Sequence, residues 1–282
     1  MKRIVLLLTG ICFALTGMAQ SDSTKTNESD TIRIGSMIII KKGDGQQGNK
    51  GNDKNVTIHN RKRTKPSNVT TNWWIVDLGI NQLTDNTDYT SAGIQNPVTG
   101  FAPGATKDWF KLRNGKSTNV NIWFFMQRLN VIKHVVNLKY GMGLELNNYR
   151  FSSPIKFETD PTKVVKIDPS NYTFSKNKLA ADYLTVPMML NFNFTPDRKS
   201  GFGFSAGVSA GYLYSSRQKT ITSNDGKQKE KNDFDLRPWK LSYIGEVQLG
   251  PIKLYGSVAT QSMFAKGLDQ TPYNFGVRLS NW

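Results

Sequence analysis

The chain is expected to be all-β: an eight-stranded antiparallel up-and-down transmembrane β-barrel behind a flexible N-terminal periplasmic tail. Three observations predict this. The first is strict alternation over eight segments. In Val136–Asn147, Val136, Leu138, Tyr140, Met142, Leu144 and Leu146 share one parity, while Asn137, Lys139, Gly141, Gly143, Glu145 and Asn147 share the other. Successive side chains of a strand point to opposite faces, so this segment has one apolar wall and one polar wall. The second is that short and long connections alternate along the chain, as between the tight periplasmic turns and long outer loops of an outer-membrane barrel. The third is an N-terminal export leader.

The leader comprises residues 1–19. Lys2 and Arg3 precede an apolar run from Ile4 to Leu15, and Gly17 and Ala19 suit cleavage before Gln20. Cys12, the single cysteine of the 282 residues, lies inside this run, so a cleaved chain has no thiol for disulfides, metal sites or nucleophilic catalysis. Residues 20–71 read as a periplasmic tail too rich in Gly, Asn, Lys, Ser and Thr to bury a core. Its exception is 31–40, where Ile32, Ile34, Ile38 and Ile40 suggest a short strand or docking segment. Lys41–Lys65 holds eight basic residues against Asp44 and Asp53, with a cluster at Arg61, Lys62, Arg63 and Lys65. Such a run suits a solvated linker or an anionic periplasmic or cell-wall partner. An exported protein leaves nucleic acid out of consideration.

The barrel domain is expected over 72–282, with strands near 72–82, 118–129, 135–149, 183–194, 202–215, 238–249, 252–261 and 273–282. Connections after the second, fourth and sixth strands are short; those after the first, third, fifth and seventh (83–117, 150–182, 216–237 and 262–272) are long. Only 38% of residues are hydrophobic, and no segment after the leader has the roughly 20 apolar residues of a spanning helix. A barrel escapes that test because half of each strand faces a polar lumen.

Alternation alone fits a soluble barrel turned inside out equally well. The polar parity decides between them. Opposite Phe202, Phe204, Ala206, Val208, Ala210, Tyr212 and Tyr214 stand Gly203, Ser205, Gly207, Ser209 and Gly211, which suit a crowded interior and make a poor solvent face. The same parity elsewhere carries Asp77, Lys139, Glu145, Lys240, Glu246, Lys253 and Arg278, charges of both signs that can pair across a lumen narrow enough to be filled by side chains. Phe192, Phe194, Phe202, Phe204 and Trp282 fall near the periplasmic rim. Tyr149, Phe151, Tyr183, Tyr212, Tyr214, Trp239 and Tyr273 fall near the outer rim, as two aromatic girdles would. Pro187 removes a backbone donor inside the fourth strand and predicts a bulge or broken ladder bond.

Four stretches, Trp74–Asn81, Gly141–Phe151, Leu184–Phe194 and Tyr273–Trp282, resemble the outer-membrane barrel family that includes PorT-type proteins, over roughly residues 72–282. The resemblance implies an eight-stranded barrel in the cell outer membrane, inserted by the outer-membrane assembly machinery. That machinery reads an alternating C-terminal strand with a terminal aromatic, here Tyr273, Phe275, Val277, Leu279 and Trp282, with Asn281 breaking the alternation. PorT-type relatives are implicated in protein secretion and surface assembly.

The residues offer little for catalysis. Barrel enzymes acting on lipid or peptide usually place a histidine at the outer rim. Here His59 lies in the tail and His134 in a periplasmic turn. The loop acids Asp85 with Asp88, Glu158 with Asp160, and Asp233 with Asp235 are candidates for weak calcium binding or for plain solvation. Lys107, Arg113, Lys163, Lys166, Lys227, Lys229 and Lys231 could meet lipopolysaccharide phosphates. No cofactor is expected. The reading is a non-enzymatic outer-membrane barrel, a structural or interaction component of the cell envelope, surrounded by outer-membrane lipid and lipopolysaccharide. The alternatives are a barrel enzyme acting on lipid and a soluble secreted barrel binding an apolar ligand.

Overall fold

The computed structural model describes residues 31–34, 37–40, 59–60, 67–159, 163–168, 174–196 and 201–280, in two compact units, 1–66 and 67–282. In the first unit, Thr31–Ile34 pairs antiparallel with Met37–Ile40, which pairs with His59–Asn60. The isoleucine-rich segment is therefore two strands instead of one.

The second unit is built on eight long strands: β1 (Val69–Asp85), β2 (Thr118–Ile132), β3 (Val136–Arg150), β4 (Phe174–Asn193), β5 (Phe202–Thr222), β6 (Trp239–Leu249), β7 (Ile252–Ala259) and β8 (Gln270–Leu279). Each pairs antiparallel with the next, and β8 pairs with β1 from Gln270↔Asp85 to Leu279↔Val76, so the sheet closes on itself. The expected strand order and connection pattern are present. The outer ends differ: β1 runs three residues further, β4 starts nine earlier and β5 continues seven later than alternation indicates. A tilted strand needs about 9–11 residues to cross a bilayer, so these ends rise well beyond it. There the alternation is obscured because their inward residues meet loops instead of lumen. Gly226–Glu230 folds back on the end of β5 as a further strand.

Two local irregularities have clear causes. Trp73 pairs with Phe125 and Ile75 with Trp123, leaving Trp74 and Phe124 outside the ladder, and Phe124 is the extra residue against β3, where Trp123 pairs with Gly143 and Phe125 with Met142. Trp74 takes φ 57° at this point. This bulge lets Trp73 and Trp74 both face outward, 63% and 69% exposed, and returns Ile75 to the interior. At Pro187, β4 keeps register with β5 through Ser209, but its ladder with β3 is interrupted between Tyr140↔Met188 and Gly143↔Thr185. The missing donor breaks one ladder without inserting a residue.

Side chains sort inversely to those of a water-soluble barrel. Among the outward residues of β4–β8, Val186, Met188, Leu190, Val208, Leu241, Tyr243, Val258 and Phe275 are all about half exposed or more. Asp77, Asn119, Asn121, Glu145, Asn147, Lys240 and Arg278 are buried within. Glycines make room for them: a Cβ on Gly207 would lie 2.1 Å from the Met188 carbonyl oxygen, and one on Gly79 2.4 Å from the Tyr255 hydroxyl.

Above the barrel, the long connections fold into a cap with its own apolar core. Ile94, Phe101, Phe110, Phe151, Ile155, Phe157, Phe234 and Phe264 belong to it, together with Tyr149, Leu179 and Tyr183 from the strand ends. Phe157 is its hub, with ring centroids 5.8 Å from Phe234, 6.0 Å from Phe151 and 6.1 Å from Phe264. Ile155–Glu158 and Val164–Ile167 form a hairpin inside it. This corrects one expectation. Tyr149, Phe151 and Tyr183 are buried under the cap and contribute nothing to an outer girdle, because their strands outrun the bilayer and their parity points inward. Tyr212, Tyr214 and Trp239 do face outward, with Tyr212 and Trp239 in edge contact at 5.0 Å. At the opposite end, Phe192 stacks on Phe204 at 4.7 Å, and Phe194 and Phe202 are exposed.

Candidate functional site

The distinctive interior feature is a polar brace at mid-barrel. Asp77 on β1 receives Arg278 of β8 through two bonds, from Nε at 2.6 Å and Nη2 at 2.7 Å. The same carboxylate accepts the Trp123 indole N–H at 2.7 Å and the Asn121 amide at 3.2 Å. Arg278 also meets Glu246 of β6, which pairs with Lys139 of β3. Glu145 of β3 pairs with Lys240 of β6 and accepts from Asn147 at 3.2 Å. The charges thus link strands on opposite sides of the lumen. Burial makes this arrangement sensitive: a desolvated ion repays its hydration only through close partners, and removing one partner strands the other.

Lys253 lies lower, donating to Ser280 Oγ at 2.6 Å. All seven charged residues singled out in the sequence therefore point inward, and six of them join in paired contacts. Sequence reasoning missed the neutral members: Trp123 as a donor, the Asn119–Asn121–Asn147 chain, and Tyr255, which donates to Asn119. The asparagines share polar parity on β2 and β3 and could have been found that way. Trp123 shares the parity of Asn119 and Asn121, but an aromatic in a strand ordinarily reads as lipid-facing, which hides its role as a donor. Below the brace, Ile75, Trp123, Met126 and Met189 form a small apolar plug. Gly141 and Gly143 face this plug; a Cβ on either would lie within 3 Å of Met126 or Trp123 side-chain atoms. The cavity beside the brace, lined by Asp77, Trp123, Glu145 and Arg278, holds about 30 Å³, room for one or two waters.

The remaining candidates are dispersed. Asp85 accepts the Tyr89 hydroxyl at 2.6 Å, and Asp88 accepts from the Thr90 hydroxyl and backbone, which hold its carboxyl below the usual range. Lys163 bridges Asp233 at 2.8 Å and Asp235 at 3.1 Å, and Lys166 pairs with Glu158 at 2.9 Å. The loop acids thus have cationic or local hydrogen-bond partners, and among the described residues no cluster of His, Cys, Asp and Glu could hold a metal ion. His134 sits in the β2–β3 turn at φ 59°, its backbone N–H donating to Asn130 at 2.6 Å. His59 lies in the separate N-terminal unit. Phe275, Val277 and Leu279 face outward on β8, beside Tyr273. Trp282, Asp160 and the Arg61, Lys62, Arg63, Lys65 cluster lie outside the described residues.

No curated protein matches the chain. A family model, the outer membrane protein beta-barrel domain, matches residues 74–264, more than half of the sequence. The closed antiparallel sheet, its apolar outward face and its polar interior are what that description requires, and the chain belongs to the outer membrane protein β-barrel family.

Proposed function

We propose that this barrel works in the outer membrane without catalysis, as a structural or interaction component of the cell envelope. The observation that carries the reading is the combination of a braced lumen with a packed roof. A chain built this way offers its partners the cap surface and the wall, and offers solutes little passage. The PorT-type resemblance of Gly141–Phe151 and Leu184–Phe194 directs the role toward protein secretion or surface assembly. The alternating outward residues of β8 support recognition by the assembly machinery, and the basic cluster at Arg61–Lys65 supports a periplasmic partner. Neutralising that cluster should release the partner while the barrel still inserts.

The test uses the full chain. A photo-crosslinker at Val98, 84% exposed in a cap loop, should capture a discrete envelope protein on intact cells, and purified barrel in planar bilayers should show no conductance steps. Steady steps would make it a pore. Altered acylation or phosphorylation of cellular lipid A on overexpression would make it a lipid-modifying enzyme.

A further inference from the structure

Above the lipid-facing belt, the outward side of β3, β4 and β5 changes character at one level. The continuous run of large apolar outward residues ends at Leu146 on β3, Leu184 on β4 and Tyr214 on β5. Leu146 pairs with Asp182 and Asp182 with Ser215, so the change falls on a common row. The stretch of β4 from Leu184 to Phe192 covers the roughly 9–11 positions of a membrane-crossing strand.

Four residues further along β4 from that row lies an unusual line. Arg150 pairs with Lys178, Lys178 with Lys219, and Lys219 with Lys229. Four cations thus stand directly opposite one another across four neighbouring strands. In the next row outward, Lys176 and Lys227 flank Ile221; one row inward is Arg217, which pairs with Asp182. Cross-strand like charges are destabilising, and among the described residues no carboxylate pairs with any of the four. Their nearest acceptors are neutral: Lys178 donates to Asn148 at 2.5 Å and Arg150 to the Ser175 carbonyl at 2.6 Å. Burial, then the charges of Lys176, Arg217 and Lys219, pull the Lys178 ammonium down to about 8. The loop residues Lys163 and Lys166 differ, since they already have carboxylates.

By strand rise and tilt the line stands roughly 10 Å above the last apolar row, within reach of long cationic side chains extending along the wall. Acyl chains against Leu146, Leu184 and Tyr214 would bring their headgroup to it. We propose that this row is a binding site for the phosphate groups of an outer-leaflet glycolipid, the phosphates supplying to the arginine fork and lysine ammoniums the counter-charge that the fold lacks. The proposal rests on the outer-membrane reading and on the long connections facing outward.

The test titrates full-length barrel, in neutral detergent micelles, with diphosphoryl lipid A, monophosphoryl lipid A or inorganic phosphate. At about fivefold per neutralised cation, K178Q/K219Q should bind diphosphoryl lipid A roughly thirtyfold more weakly. K178R/K219R and the control K163Q/K166Q should bind as the parent does, and diphosphoryl lipid should bind more tightly than monophosphoryl. Equal binding by K178Q/K219Q overturns the site, and so does displacement of the lipid by equimolar inorganic phosphate, which would mark a small-anion site. The difference in SDS gel mobility between unboiled and boiled protein, which marks a detergent-resistant closed barrel, is scored on the same samples and separates a lost site from a lost barrel. If K178Q/K219Q fails to fold, amine labelling of Lys178 and Lys219 in the parent decides: protection by lipid A supports the site and unchanged labelling overturns it.

Discussion

Glu145 and Tyr149 share the inward face of β3, four positions apart, and they obey opposite rules of burial. Glu145 is surrounded by Lys240, Asn147 and Thr185; Tyr149 is sealed among the phenylalanines of the cap. The difference comes from what lies outside the wall. At the level of Glu145 the surroundings are hydrocarbon, apolar side chains gain nothing by hiding, and the interior is left to polar groups that satisfy one another. At the level of Tyr149 the outside is water, and the hydrophobic effect again drives apolar groups inward. One continuous strand thus crosses from an ion-paired core to an oily one.

Removing Asp77 should break the lower region most severely. Asp77→Ala strips Arg278 of a two-bond partner and orphans the Trp123 indole. A loss of about 3–5 kcal/mol is expected, read as a lower unfolding midpoint in detergent and a weakened boiling shift. Asp77→Ala with Arg278→Leu should recover part of it, since a stranded charge costs more than an absent pair.

Phe157→Ala tests the upper region. It empties the hub of the cap and should cost about 3–5 kcal/mol there, while the barrel's boiling shift stays intact. Limited proteolysis should cut the cap loops of the variant and spare those of the parent. Loss of the boiling shift would show that the regions are not separable.

Crowding sharpens the contrast at smaller scale. Gly207→Ala places a Cβ against the Met188 backbone and should destabilise by about 1–3 kcal/mol. Gly93→Ala, in the single helical turn Ala92–Gln95 of the cap, where the added Cβ meets nothing within 4 Å, should be neutral or stabilise by up to about 1 kcal/mol in the same unfolding assay.

The smallest effect concerns Lys178, on the wall above the belt. Burial and the neighbouring cations pull its pKa in the folded chain down to about 8, below the ordinary lysine value of 10.5, so the charged form is disfavoured by folding. Below pH 8 both states hold the proton and the penalty is fully present. Between pH 8 and about 10.5 the folded state has released a proton that the unfolded chain still holds, so stability should rise with pH. Thermal unfolding of parent and K178Q across that window checks the sign; the parent should gain relative to K178Q.

The same division governed what could be read from the chain. Lumen residues were legible because strand parity is local: Asp77, Glu145 and Arg278 each declare their face through immediate neighbours. The cap was not, because its contacts have no period. Phe101 meets Phe264 at 6.0 Å across most of the domain, and only the number of phenylalanines in nominally exposed loops hinted at a second core. The bulge escaped because extruding Trp74 resets parity within one residue. Its trace is the doubled aromatics, Trp73-Trp74 facing Phe124-Phe125. The cationic row needed register as well as parity, since Arg150, Lys178, Lys219 and Lys229 are scattered in sequence and meet only when β3, β4, β5 and the fold-back strand are aligned.

The Asp77–Arg278 pair joins the first barrel strand to the last, across 201 residues of chain. While the nascent sheet is still open, each member faces the forming interior without the other. An open sheet therefore carries two charges of opposite sign on its two free edges, Asp77 with only its neutral donors on β2 and Arg278 with Glu246, attracted to each other across the gap. Closing the final seam brings the two together and adds a buried ion pair that no partly zipped sheet has. A chain truncated before Arg278 would keep the ladder of Gln270–Val277 against β1 and lose the ion pair that locks its ends together.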